Sequence, residues 1–115
     1  MYSIVIIDLP PDWNEWKLRL LERADLVCAV ALTDVPGIYR FGRMLAFMDQ
    51  LELAGRVQLV ANRVERALFR DNSLDEQERV LGRRFAHSIA GDDQVMGLAV
   101  AQGKTLADVR ASARV

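Results

Sequence analysis

At 115 residues the chain is long enough for one hydrophobic core and short for an enzyme carrying its own cofactor fold. Hydrophobic residues make up 51% and charged residues 27%, with a formal net charge of −1, an ordinary globular balance with no basic field to draw nucleic acid. One cysteine excludes a disulfide framework, no spacing suggests metal ligands, and no apolar run approaches the roughly 18 residues of a membrane span. No basic leader follows Met1, so a cytoplasmic chain without a signal peptide or membrane insertion is expected.

Strand-like and helix-like segments alternate along the chain. Tyr2 to Asp8 is rich in β-branched residues and apolar on both faces, which predicts a buried parallel strand ended by Pro10-Pro11. Asp12 with Glu15 reads as a capping box, opening a helix with Trp13, Trp16, Leu20, Leu21 and Ala24 on one stripe. Leu26 to Leu32 predicts a second buried strand and makes Cys28 a buried, reduced thiol. Asp34 and Pro36 start a long helix with Ile38, Phe41, Leu45, Met48 and Leu51 at helical spacing, closed by Gly55. Arg56 to Ala61 predicts a third strand, followed by an arginine-rich loop over 62–72. Ser73 with Glu76 reads as another capping box, and Gly82 stops the short helix it opens. Phe85 to Ile89 predicts a weaker fourth strand. A helix carrying Val95, Met96, Ala99 and Val100 follows, broken by Gly103, with one more turn over Leu106 to Val109.

This alternation implies a single α/β domain over residues 1–115, with a parallel sheet of about four strands and helices in the crossovers. Ligands of such sheets bind beyond the carboxyl ends of the strands. There Asp8 fits two roles, a carboxylate holding Mg²⁺ or a cap on the turn before the prolines. Asn62 can hydrogen-bond a purine edge or serve as a turn residue. Thr33 and Asp34 read as a helix cap and His87 as structural, and no Ser/His/Asp or Cys/His arrangement can be drawn. Arg63, Arg66, Arg70, Arg79, Arg83 and Arg84 make the middle of the chain locally basic. Glu65, Asp71, Asp75, Glu76 and Glu78 interleave with them, which describes a solvated face and not a specific nucleic-acid site.

The order of these loops resembles the C-terminal half of MinD/ParA-type P-loop ATPases. Ile4-Val5-Ile6-Ile7-Asp8-Leu9-Pro10-Pro11 looks like the switch-II strand and its D-x-P turn. Leu26 to Leu32 with Thr33-Asp34-Val35-Pro36 looks like the next strand and its threonine/proline loop. Val57 to Ala61 with Asn62-Arg63 resembles the strand and the asparagine that contacts adenine. His87-Ser88-Ile89-Ala90-Gly91-Asp92-Asp93 resembles the segment lining the base pocket, and Gly103-Lys104-Thr105-Leu106 the family's ending. Asn62 through Asp71 gives the chain its look of the CpaE/TadZ-type proteins that place Tad (Flp) pilus secretion machinery at a cell pole. The resemblance implies Asp8 on the Mg²⁺ side and Pro10, Asn62, Arg63 and Asp92 around a nucleotide. ATP and Mg²⁺ are the cofactors of the full-length family, and pilus or secretion proteins are the partners.

The departures carry weight too. The sequence contains no Gly-rich phosphate loop with its lysine and no switch-I aspartate, and Ala90 stands where the family has proline. The resemblance therefore implies negligible ATP binding by this chain alone. In the family sheet the phosphate-loop strand lies between those matching Tyr2 to Asp8 and Leu26 to Leu32. Either the first strand here moves over to the second, or another chain fills the gap. Strands running in simple order would place the first three helices on one face and leave the other uncovered, so a homodimer or a missing N-terminal half is expected as cover. A fragment of an active ATPase and a flavodoxin- or receiver-like regulatory module remain as alternatives. The latter would want a phosphorylatable Asp after the third strand, where Asn62 stands.

Overall fold

Three parallel strands in the order β1-β2-β3 make the sheet of the computed structural model, which describes residues 1–65 and 74–113. The elements are α1 (Glu15–Arg23), β1 (Val27–Leu32), α2 (Val35–Gln50), a short 3₁₀ turn (Ala54–Arg56), β2 (Val57–Val64), α3 (Asp75–Leu81), β3 (His87–Ala90), α4 (Asp93–Gln102) and α5 (Leu106–Ala113). β1 and β2 pair from Val27 opposite Val57 to Leu32 opposite Asn62.

The strands' alternation assigns their faces. Ala29, Ala31 and Leu59 point to one side, where they meet Phe41 and Leu45 of α2, with Leu81 of α3 and Phe85 packed against them. Alanines on β1 bring the helix close to the sheet, and Phe41 and Leu45 fill the space. α1 joins this layer through Leu21, which meets Met48 and Leu53, with Leu9, Val27 and Val57 alongside. All three helices therefore lie on one side of the sheet, which right-handed crossovers in simple strand order demand of α2 and α3. α2 starts as its sequence predicts, with Asp34 Oδ1 accepting from Gly37 N at 3.0 Å and proline in the first turn. Ile38, Phe41, Leu45 and Met48 are its buried stripe. Glycines in the left-handed region, Gly82 (φ 69°) and Gly103 (φ 60°), end α3 and α4.

Several expectations are corrected. Tyr2 to Asp8 joins no strand pair, so the sheet has three strands among the described residues and not four. Tyr2, Ile4, Val5, Ile6 and Ile7 are all exposed. The apolar pattern is that of a buried strand, but the chain supplies no neighbour for it. Cys28 is exposed, not buried, because its face of β1, shared with Val30 and Leu32, has no cover. His87 is likewise exposed at the start of β3. The N-cap of α1 is Asn14, whose Oδ1 accepts from Lys17 N, and not Asp12, which is engaged by the Lys17 ammonium. That turns Lys17 and Leu21 inward and leaves Trp16 exposed. On α4 only Ala99 of the expected stripe is buried, while Met96 and Val100 are exposed. β2 runs on to Val64, and α5 continues to Ala113. Ser73, Arg66 and Arg70, on which the second capping box and part of the basic loop depend, lie outside the described residues.

Candidate functional site

The carboxyl ends of β1 and β2 open onto a cleft of about 270 Å³ lined by Leu32, Thr33, Asp34, Arg63 and Glu65. This is the sheet end where an α/β fold places its ligand, because strand ends and helix starts meet there without filling the space.

A bulge shapes one wall. Ala61 pairs with Ser88 and Val64 with Ala90, so β2 spends one residue more than β3 between the two pairs. Arg63 takes up the excess in the left-handed region (φ 54°), and Asn62 Oδ1 accepts from Arg63 N at 3.0 Å. The reversal turns the Arg63 side chain toward α4, where Nη2 donates to Asp93 Oδ1 at 2.9 Å. Gly91 lies on the bulge: its N–H donates to Val64 O at 2.9 Å, and a Cβ there would stand 3.4 Å from the Arg63 carbonyl carbon and oxygen. Asp92 caps α4, its Oδ1 accepting from Val95 N at 3.1 Å. Asn62 and Arg63 are thus brought to one corner of the sheet with Asp92, which is distant in sequence. The Asn62 amide oxygen is held by the Arg63 backbone N–H, and the Arg63 guanidinium by Asp93.

Asp8 and Pro10 stand elsewhere, on the N-terminal segment. Its turn is pinned from α1: Lys17 Nζ donates to Pro10 O at 2.8 Å, to Asp12 O at 2.6 Å and to Asp12 Oδ1 at 2.7 Å. The Lys17 hydrogen bond to the side chain, with a backbone N–H and the ammonium charge, holds the Asp12 carboxyl below its ordinary range. Sequence reasoning missed Lys17, because a lysine beside Trp16 reads as a solvated position. The signal available was its spacing from Leu21, one turn on along the same helix face.

Among the described residues no group of three or more His, Cys, Asp or Glu side chains could hold a metal, and no hydrogen bond or ion pair engages the Asp8 carboxylate. A second, wider depression is lined by Asp75, Glu78, Arg79, Gly82, Arg83, Arg84 and Phe85, where charges of both signs make a solvated rim. Arg83 there is tied to Asp49 of α2 at 2.6 Å. No helix among the described residues is long and apolar enough to cross a membrane.

No family model matches this sequence, and no curated protein matches it. Among solved structures the chain is similar to a ParA family ATPase from Chlorobium tepidum TLS, at 25% identity and a TM-score of 0.67 over 78% of this chain. The match takes up 37% of that ATPase, so the chain spans little more than a third of its length. The architecture is that of part of a ParA-like P-loop NTPase, with α/β layering and a parallel sheet.

Proposed function

We propose that the chain is a truncated or degenerate MinD/ParA-like domain of CpaE/TadZ type. It works through protein–protein contacts in placing and assembling Tad pilus secretion machinery, recruited from the cytoplasm to the inner membrane or a cell pole. It does not hydrolyse ATP on its own. The observation that supports an interaction role is the uncovered face of β1: Val30 and Leu32 are about half exposed on a strand whose opposite side is packed. Apolar surface on both a sheet face and a loose segment marks an interaction site more than a catalytic one. The phosphate and metal chemistry of the family needs a cradle that this sequence lacks.

A second reading has its own support. The match to 37% of a ParA family ATPase fits a fragment of an active enzyme whose phosphate-loop half belongs to another stretch of polypeptide. In that case Asn62, Arg63 and Asp92 line the base side of an ATP site completed from outside, with Asp8 and Pro10 entering from the metal side.

Calorimetric titration with Mg-ATP and Mg-ADP separates the two. Absence of saturable heat is expected for an interaction module. Micromolar binding that Asn62→Ala weakens about tenfold or more would put the ATPase reading first. The pilus role is tested by fluorescent tagging in cells that assemble a Tad pilus: a polar focus is expected, and diffuse signal overturns it.

A further inference from the structure

We draw no further inference here: the strongest candidate, the exposed apolar surface patch at Met96 and Val100 on α4, carries nothing because nothing in the structure shows what covers it.

Discussion

The ammonium of Lys17 and the carboxylate of Asp12 stand 2.7 Å apart, yet the lysine side chain is 3% exposed and the aspartate 71%. The pair is therefore asymmetric. Water screens the carboxylate, while the lysine depends on three fixed oxygens, two of them backbone carbonyls. Replacing Lys17 with Met keeps most of the apolar stem and removes all three bonds. A loss of about 1.5–3 kcal/mol in urea unfolding is expected, the scale of hydrogen bonds made by a charged group. Asp12→Asn should cost much less, because the two carbonyl contacts survive. Equal losses in the two variants would mean that the carboxylate, and not the carbonyl pair, holds the turn.

The same contact sets a pH dependence. Asp12 has a folded pKa below its ordinary 3.8, so the folded state binds its proton less readily than the unfolded one. The stabilisation is then complete above that ordinary value and is lost as pH falls through the lowered one. Carboxyl chemical shifts should show Asp12 titrating below 3.8, and Lys17→Met should return its midpoint toward 3.8. Asp108 should also titrate low, held by the hydroxyl and backbone N–H of Thr105, but Lys17→Met should leave it unmoved.

At the sheet's carboxyl end, Arg63 and Asp93 are 62% and 86% exposed, so their ion pair adds little to stability. Asp93→Asn should change unfolding by less than about 1 kcal/mol. If the corner binds a nucleotide base once completed by a phosphate-loop polypeptide, the same variant should alter affinity through the freed Arg63. A stability loss well above that figure would mean that the pair braces the bulge.

How far the sequence foretold this structure follows from where each signal originates. α2 was legible because capping, proline placement and a 3.6-residue apolar stripe agree at Asp34, Pro36, Ile38, Phe41, Leu45 and Met48. β1 was legible as a strand but not as a half-covered one. Val27, Ala29 and Ala31 differ little in character from Cys28, Val30 and Leu32, so the pattern cannot say which side has a helix. Tyr2 to Asp8 fails for a related reason, since local composition specifies a strand and only a neighbour makes it one. Asn62 drew notice from its place after an apolar run, and Arg63 beside it through the resemblance. The bulge that turns Arg63 was invisible, because a left-handed arginine has no sequence signature of its own.

The core makes a direct prediction. Leu45 is 3% exposed between Ala29, Ala31 and Leu59, and the flat alanine surface opposite cannot move in to fill a void. Leu45→Ala should therefore cost toward the upper part of about 2–5 kcal/mol by urea unfolding. A loss near 1 kcal/mol would show that α2 settles onto the sheet when the side chain is shortened.

Two glycines on helices should respond in opposite directions to the same substitution. Helix propensity alone favours alanine over glycine by about 1 kcal/mol at either position. At Gly37, in the first turn of α2, an added Cβ would lie 2.3 Å from Asp34 Oδ1 and 2.6 Å from Leu32 O. The carboxylate could swing away only by giving up its cap on Gly37 N, worth about 1 kcal/mol. The Leu32 carbonyl belongs to the end of β1 and cannot yield without shifting the strand, an overpacking cost of about 1–3 kcal/mol. Those losses exceed the gain, so Gly37→Ala should destabilise by about 1–3 kcal/mol. At Gly97, inside α4, an added Cβ meets nothing within 4 Å among the described residues. Gly97→Ala should stabilise by about 0.5–1 kcal/mol, through the smaller backbone entropy of the unfolded chain. Urea midpoints of the two variants, measured side by side, check the pair. A stabilised Gly37→Ala would mean that the start of α2 stands farther from β1 than these distances, and with it the wall of the cleft that Thr33 and Asp34 form.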